Sequence, residues 1–296
     1  MTLLDRPTDR RFAVRLLSGS IGAEVEGLDL RDDLDEETVQ GLRELWLQRR
    51  VLFFKRQHLD AEAHKRFARY FGELTPGHPV IPGLADHPEV FQIDYRQSRD
   101  VYAQYGDVHV RKAGLDWHTD VTFVERPPAG SILNAVVIPD AGGDTMWSDQ
   151  VAAFAALSEP LQGFLATLTA VHDGRAAFAK QLADQGEGSW DGAPYRELVP
   201  VRHPVVRIHP ETGEQVLYVN RGFTSHIEGL RADESASLLS FLYAHSTSPE
   251  FVVRHHWDQG DIAFWDNRAT QHSVVGDYGN AARVIQRVTL RGDRPF

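Results

Sequence analysis

The stretch Trp117-His118-Thr119-Asp120-Val121-Thr122-Phe123 places a histidine and an aspartate two positions apart among aromatic and β-branched residues. Residues of these types favour a β-strand, so we predict a strand over residues 118–123. Side chains at positions i and i+2 of a strand project from the same face. His118 and Asp120 would then point together from one rigid element, as two ligands of a site in which two histidines and one carboxylate hold a metal such as iron.

Spacing alone does not identify this pair, because three His-x-Asp pairs occur where the composition predicts about one by chance. The other two are His58/Asp60 and His256/Asp258. Asp60 precedes a helical pattern and is expected to be an N-cap with an exposed histidine nearby. Asp258 lies in a predicted turn, where a short acceptor stabilises the bend. A surface histidine and aspartate on a strand would equally account for the first pair.

A third metal ligand would have to come from another strand. His272 ends a stretch of aromatic and polar residues, and Arg283 and Arg287 follow 11 and 15 positions later in an otherwise apolar strand pattern. At positions i and i+4 of a strand, both arginines lie on one face. Their guanidinium groups suit carboxylate, sulfonate or sulfate oxygens. A solvated strand edge is the competing explanation of both arginines.

Short apolar patterns with intervening Pro and Gly turns run through most of the chain, a rhythm typical of a β-sandwich or barrel. The predicted strands are residues 12–17, 51–54, 131–138, 204–208, 216–219, 251–255, 261–265 and 284–290. Helices are predicted after Asp35, after Asp60 and over residues 233–245. The fold class is therefore mostly β with flanking helices. Residues 97–115 and 181–194 are expected to be long loops, and no linker divides the single domain 1–296.

The composition limits the kinds of site and partner. Hydrophobic residues make up 42% of the 296 positions, enough to fill a core. The formal net charge of −11 disfavours nucleic acid and anionic membrane surfaces as partners. Because there is no cysteine, any metal must be held by His, Asp or Glu. Apolar runs fall far short of the ~20 residues that span a membrane, so we expect a cytoplasmic protein.

These residues belong to a longer series of motifs, through which the chain resembles the taurine dioxygenase family of iron(II)/2-oxoglutarate-dependent oxygenases. That family also includes alkylsulfatases and 2,4-dichlorophenoxyacetate dioxygenase. About nine tenths of the chain is covered. The motifs are Ile21-Gly22-Ala23, Phe71-Gly72-Glu73, His78-Pro79-Val80, Trp117 to Phe123, Pro127-Pro128-Ala129-Gly130, Gly142-Gly143-Asp144-Thr145, His203-Pro204-Val205-Val206-Arg207, Val219-Asn220-Arg221-Gly222-Phe223-Thr224, Trp265-Asp266-Asn267-Arg268 and residues 287–295.

The resemblance implies a double-stranded β-helix, which is a jelly roll of the clavaminate synthase type. It implies Fe(II) held by His118, Asp120 and His272 as the catalytic centre, with 2-oxoglutarate and O2 as cosubstrates. Thr145 and Arg283 match the residues that bind the distal carboxylate of 2-oxoglutarate. The expected reaction hydroxylates the carbon beside a sulfonate or sulfate group, and it releases sulfite or sulfate, an aldehyde, succinate and CO2. We also expect a homo-oligomer, either a dimer or a tetramer.

The resemblance also suggests how the substrate is held. Arg287 matches the arginine that binds its acidic head, and His78 matches a sulfonate-contacting histidine. A tyrosine and an asparagine expected from the taurine enzymes are Ile81 and Gly114 here, which favours longer or more apolar substrates than taurine. The candidate pocket walls, for which simple core packing is the alternative, are Val121, Phe123 and Phe223. A carboxylate-bearing substrate and a non-catalytic metal- and anion-binding sensor are the alternative functions.

Overall fold

The computed structural model describes residues 11–79, 83–94, 117–178 and 199–296, with the backbone of residues 189–190 and 193–194. The predicted loop over residues 97–115 lies outside the described residues. Of the predicted loop over residues 181–194, the structure describes only the two-residue strands β9 (Ser189–Trp190) and β10 (Ala193–Pro194), which pair antiparallel.

The largest sheet has eight strands and carries the arginine-bearing strand in its interior. Its strands are β1 (Ala13–Leu16), β2 (Ala23–Glu26), β3 (Val51–Phe54), β4 (Gly83–Leu84), β5 (His87–Asp94), β6 (Gly130–Val137), β16 (Ile262–Asp266) and β18 (Val284–Leu290). Their spatial order is β1-β2-β3-β16-β6-β18-β5-β4. Neighbours run antiparallel, except that β2 and β3 are parallel.

The remaining strands form smaller sheets. Strands β7 (Thr145–Asp149), β15 (Val252–His255) and β17 (Thr270–Val274) form a three-stranded sheet in the order β15-β7-β17. A second three-stranded sheet has the order β11-β8-β14, where β8 is Thr169–His172, β11 is Val201–Pro204 and β14 is Thr224–Ile227. Strand β12 (Val206–Ile208) pairs with β13 (Gln215–Leu217).

Alternation along β3 shows how the large sheet is buried on both faces. Leu52 and Phe54 pack in one apolar cluster with residues of the two N-terminal helices. Val51 and Phe53 point the other way and pack with Trp147 of the sheet β15-β7-β17. The large sheet is therefore a middle layer between helices and the smaller sheet. This arrangement confirms the predicted mostly β class with flanking helices.

The two N-terminal helices begin at the caps that the sequence predicts. Helix α1 (Glu36–Arg49) is capped by Asp35, whose carboxylate accepts from the Thr38 N–H. Helix α2 (Ala61–Arg69) is capped by Asp60 in the same way, which confirms the N-cap prediction. The other helices are α3 (Gln150–Ala155), α4 (Glu159–Leu165) and α5 (Ala232–Ser246). No helix in the described part of the chain has both the length and the apolarity needed to cross a bilayer.

The predicted strand over residues 118–123 is wrong. His118 makes an isolated bridge to His272, and the chain then turns through residues 120–123. Val121 has φ of 55°, a value that β-branched residues rarely adopt, and the Val124 N–H closes the turn on the Val121 carbonyl. The physical reason is tertiary: the Asn267 side chain, rather than a neighbouring strand, binds the Asp120 backbone.

A fully buried histidine joins helix α2 to the large sheet. The His64 Nε2 lies 3.1 Å from the Ile132 carbonyl, and burial lowers the pKa of His64 to about 4. The unfolded chain, with an ordinary histidine pKa of about 6.5, therefore takes up this proton first as the pH falls. Stability that is present above about pH 6.5 is lost progressively toward pH 4.

We therefore expect His64→Gln to flatten the pH dependence of the free energy of unfolding. Between pH 7 and pH 5 the native chain should lose about 2 kcal/mol more than the variant, from the two pKa values. Urea unfolding at both pH values measures this difference. His226→Gln replaces an exposed histidine and serves as the control. If the free energy of unfolding of His64→Gln depends on pH as steeply as that of the native chain, His64 does not cause this pH dependence.

Candidate metal and anion site

A two-residue backbone pair brings the first and last predicted metal ligands together. The His118 N–H donates to the His272 carbonyl at 3.0 Å, and the His272 N–H donates to the His118 carbonyl at 2.8 Å. Their ring centroids are 4.2 Å apart. His272 lies in the middle of β17, which pairs with β7. The bridge therefore fixes His118 to a sheet although its own segment is not a strand.

Asp120 is held at its backbone and at its side chain. The Asn267 Oδ1 accepts from the Asp120 N–H at 2.9 Å, and Asn267 Nδ2 donates to the Asp120 carbonyl at 3.0 Å. The Ser131 hydroxyl donates to Asp120 Oδ2 at 2.9 Å. Asp120 Oδ1 then lies 3.7 Å from His118 Nε2 and 3.8 Å from His272 Nε2.

Arg287 binds the same carboxylate. Its Nη1 donates to Asp120 Oδ1 at 2.6 Å, in a buried ion pair. Burial by itself would raise the pKa of the Asp120 carboxyl, but the charge of Arg287, the neighbouring His272 and His118 and the Ser131 hydroxyl hold that pKa below its usual value. Burial also holds the pKa of His272 well below its usual value, followed by the effect of His118. The site therefore offers a carboxylate and a neutral imidazole near neutral pH.

The three side chains fit a divalent metal. One nitrogen or oxygen atom from each of His118, Asp120 and His272 can be chosen so that all lie within 4.8 Å of one another. Nitrogen and oxygen ligands lie about 2.0–2.2 Å from such a metal, so two ligands of one ion can be up to about 4.4 Å apart. The measured separations of 3.7 and 3.8 Å from Asp120 Oδ1 satisfy that limit. Within the described ranges this is the single group of three candidate ligands.

A second buried guanidinium, that of Arg283, contacts neutral groups. Its Nε donates to the Gly143 carbonyl at 3.1 Å, and its Nη2 donates to Thr145 Oγ1 at 3.4 Å. Thr145 Oγ1 also accepts from Trp257 Nε1 at 3.0 Å, which leaves its own hydrogen for a ligand. Arg283 is 4% exposed, and burial lowers its pKa. No carboxylate of the described residues lies within ion-pair distance of it, and a buried charge without a counterion favours anion binding.

The predicted pocket walls pack together beside the metal-ligand candidates. Val121, Phe123 and Phe223 form one buried cluster with Val124 and Phe178. The Phe223 ring stands edge-on to the His118 ring, with centroids 5.9 Å apart. This cluster lines an apolar side of the site.

His78 connects the apolar side to the arginine side. Its ring centroid lies 5.3 Å from those of both Phe91 and Phe178, and the Arg287 guanidinium lies 4.6 Å above the Phe91 ring. Burial, and then the charge of Arg287, lower the pKa of His78 to about 3. His78 is therefore neutral. Ile81 and Gly114, which replace the tyrosine and asparagine expected from the taurine enzymes, lie outside the described residues.

Four residues of this site were not predicted from the sequence. They are Ser131, Trp257, Asn267 and Phe178. Asn267 stands in the motif Trp265-Asp266-Asn267-Arg268, and membership of that motif was the one signal that pointed to it. The others act across 11 or more positions of sequence, and no local pattern indicates such contacts.

A buried ionic network supports the turn that carries Asn267. The Asp266 carboxylate accepts from Arg268 Nε and Nη2 at 2.9 and 2.7 Å, and it lies 3.0 Å from His209 Nε2. Arg268 Nη1 donates to Glu211 at 2.6 Å. Burial alone would raise the pKa of Asp266, but Arg268 and His209 hold it far below its usual value. The turn between β16 and β17 is therefore fixed on both sides of Asn267.

Known proteins are similar to this chain in sequence and in fold. The family described as "Taurine catabolism dioxygenase TauD, TfdA family" matches residues 13–289. An α-ketoglutarate-dependent sulfate ester dioxygenase of Pseudomonas putida is 38% identical over 99% of this chain and 94% of its own length. An alkylsulfatase of Acinetobacter baylyi is 34% identical over 99% of this chain and 88% of its own. The crystal structure of a taurine dioxygenase from Burkholderia xenovorans has a TM-score of 0.80 and 39% identity, covering 96% of this chain and 91% of the other.

The chain belongs to the TauD/TfdA dioxygenase family. It is a 2-oxoglutarate-dependent dioxygenase, an oxidoreductase that uses Fe(II) and O2. The family resemblance and the enzyme class stated from the sequence are thereby confirmed.

Gly222 provides a test of how the site holds His118. A Cβ added at Gly222 would lie 2.7 Å from the His118 Cβ, whereas one added at Gly163 in helix α4 meets nothing within 4 Å. We expect Gly222→Ala to displace His118 and weaken Mn(II) binding roughly 10- to 100-fold, as changes around metal ligands do. Calorimetric titration measures this affinity, with Gly163→Ala as the control. Native affinity in Gly222→Ala would contradict the role of Gly222 in holding His118.

Proposed function

We propose that this enzyme hydroxylates the carbon next to a sulfonate or sulfate group on an aliphatic chain. The observation that carries the proposal is a buried group of two histidines and one carboxylate, in which Arg287 binds the carboxylate and the Phe223 ring of an apolar cluster stands against one histidine. Relatives whose names specify sulfate esters support the substrate class. The fold is proposed to be a jelly roll, a double-stranded β-helix, forming one domain over residues 1–296.

Fe(II) is proposed to be held by His118, Asp120 and His272. When bound, it supplies the O2 activation that couples 2-oxoglutarate decarboxylation to substrate oxidation. The chain's own residues provide the binding geometry. Asn267 and Ser131 fix Asp120, and the backbone bridge fixes both histidines. This side of the site therefore needs no rearrangement of backbone to present its three ligand atoms.

The distal carboxylate of 2-oxoglutarate is proposed to bind Arg283 and Thr145. The guanidinium lacks a carboxylate partner among the described residues, and the Thr145 hydroxyl retains a hydrogen to donate. Both features are what a dicarboxylate requires, because each carboxylate oxygen accepts hydrogen bonds and carries negative charge. Thr145 is the first residue of β7, which pairs with the strand of His272.

The substrate's acidic head is proposed to bind Arg287, with His78 beside it. Arg287 uses Nη1 for Asp120, while its Nε has no hydrogen-bond partner among the described residues. That guanidinium therefore retains donors for a sulfonate or sulfate oxygen. Val121, Phe123 and Phe223 then face the carbon chain. An apolar wall excludes water from the reacting carbon and favours an alkyl group.

Hydroxylation next to the sulfur group determines the products. In a sulfonate, the carbon then carries both OH and sulfonate, and loss of the C–S bond with the hydroxyl proton leaves an aldehyde and sulfite. In a sulfate ester the C–O bond to sulfate breaks, and the products are an aldehyde and sulfate. Succinate and CO2 arise from 2-oxoglutarate in both reactions. The released anion therefore reports which substrate class is used.

A substrate panel with native enzyme and Arg287→Ala tests the proposal. Taurine, alkyl sulfonates, alkyl sulfates and aryloxyacetates are supplied with Fe(II), 2-oxoglutarate and O2, and succinate, sulfite and sulfate are measured together. We expect an alkyl sulfonate or sulfate to give the fastest coupled turnover. Arg287→Ala should raise the substrate KM about 30-fold or more, because it removes a charge-assisted partner worth at least about 2 kcal/mol.

The same panel defines failure. Succinate formed only with carboxylate substrates, with no sulfite or sulfate from any compound, would replace the sulfur-acid proposal by a carboxylate substrate. Arg202→Ala is the matched control for Arg287→Ala, since Arg202 is also ion-paired but is 65% exposed and lies on β11 of another sheet. A KM increase of the same size in the control would remove the assignment of Arg287.

Arg283→Ala separates the two arginines. It removes the guanidinium proposed to pair with the distal carboxylate of 2-oxoglutarate and leaves that carboxylate partly desolvated. Such truncations typically cost roughly 2–5 kcal/mol, or about 30-fold to several-thousand-fold in affinity. We expect the loss to fall on the dissociation constant of 2-oxoglutarate, measured anaerobically with the Mn(II) protein. Unchanged 2-oxoglutarate affinity with a collapse of substrate affinity would mean that the two arginines have exchanged roles.

A further inference from the structure

The loop between β17 and β18 is fastened to the segment that ends at Thr145. This loop, residues 275–283, starts after the strand of His272 and ends at Arg283. Three hydrogen bonds attach it. The Val275 N–H donates to the Asp144 carbonyl at 2.8 Å, the Gly143 N–H donates to Asp277 Oδ1 at 2.8 Å, and Arg283 Nε donates to the Gly143 carbonyl at 3.1 Å.

Two of these three hydrogen bonds are made by the backbone of Gly143. Gly142 and Gly143 have φ of 77° and 74°, and two successive glycines have wide conformational freedom. The bond to Asp277 removes that freedom on the N–H side. The carbonyl of Gly143 is thereby oriented toward Arg283. A Cβ added at Gly143 would lie 3.2 Å from the Arg283 Cδ, so the fit between this loop and the guanidinium stem is close.

Charges on the outer side of the loop hold Asp277 in turn. Its Oδ2 lies 3.7 Å from Arg254 Nη2, and Arg254 Nε donates to Asp144 at 2.6 Å. His256 Nδ1 lies 2.8 Å from the other Asp144 oxygen. His256 therefore belongs to this ionic group and does not contribute to the metal site. The group ties β15, the start of β7 and the loop 275–283 together around the Arg283 subsite.

We propose that Asp277 is a positioning residue for the cosubstrate. By holding Gly143 it fixes the guanidinium of Arg283, and so sets the affinity for the distal carboxylate of 2-oxoglutarate without touching that molecule. Asp277 is half exposed, with 49% of its side chain accessible, and its contact with Gly143 is with a backbone N–H. Its role is therefore separable from folding of the core. The inference rests on the proposed role of Arg283.

Two substitutions of Asp277 test the hydrogen bond itself. Asp277→Ala removes the acceptor, whereas Asp277→Asn keeps an oxygen that can accept from Gly143. We expect Asp277→Ala to weaken 2-oxoglutarate binding roughly 3- to 10-fold, the loss of one hydrogen bond, and Asp277→Asn to restore near-native affinity. Calorimetry on the Mn(II) protein without O2 measures it. Mn(II) affinity and kcat at saturating 2-oxoglutarate should stay native.

Asp258→Ala is the matched control, because Asp258 is also half exposed and ion-paired, to Lys55, but does not contact Gly143. An equal loss in Asp277→Ala and Asp277→Asn, or no loss in either, would overturn the inference. A loss in Mn(II) affinity would also overturn it, since that outcome indicates a general disturbance of the site. Arg283→Ala, measured alongside, distinguishes failure of the proposed function of Arg283 from failure of the role of Asp277. If it leaves 2-oxoglutarate affinity unchanged, the proposed function of Arg283 fails; if it alone reduces that affinity, only the role of Asp277 fails.

Discussion

The carboxamide of Asn267 takes the place of the neighbouring strand that Asp120 lacks. A buried backbone N–H or C=O without a partner costs about 1–3 kcal/mol, and Asp120 lies where the chain turns away from its pairing with β17. Asn267 satisfies both backbone groups and also donates to the Pro128 carbonyl at 3.0 Å. One side chain therefore joins the turn after β16 to the segment before β6. The distance between Asp120 and His272 depends on this contact. Asn267 binds Asp120 and lies in the turn that leads into β17, the strand of His272.

Local patterns predicted much of the fold, and long-range contacts decided the rest. Strand β18, the caps at Asp35 and Asp60 and helix α5 follow from alternation, a short acceptor and helical spacing. The segment after His118 has strand composition but is a turn, because its backbone partners come from a side chain 147 positions away. That His118, Asp120 and His272 lie together was predicted from the family resemblance. Spacing alone left an ordinary strand surface as an equal explanation.

Arg283 and Arg287 are both buried, but they have different surroundings. Arg287 already has a carboxylate, Asp120, at 2.6 Å, whereas the hydrogen-bond partners of Arg283 among the described residues are a carbonyl and a hydroxyl. An anion at Arg283 therefore compensates a charge that the fold leaves unpaired. An anion at Arg287 must share the guanidinium with Asp120. Binding at Arg287 is consequently linked to the electrostatics of a proposed metal ligand, and binding at Arg283 is linked to the loop held by Asp277.

Charge balance connects the two subsites to the substrate class. Asp120 contributes one negative charge and the two arginines contribute two positive charges, while His78 and His272 are held neutral by burial. A divalent metal brings the sum to three positive charges. Binding of 2-oxoglutarate, which carries two negative charges, would leave one positive charge. A buried charge is stable only when it is compensated. A singly charged alkyl sulfate or sulfonate removes that last charge. Taurine is a zwitterion with no net charge, so its ammonium group would leave the positive charge in place beside the apolar wall. The proposed preference for an alkyl acid over an amino-sulfonate is therefore consistent with the charges of the described residues.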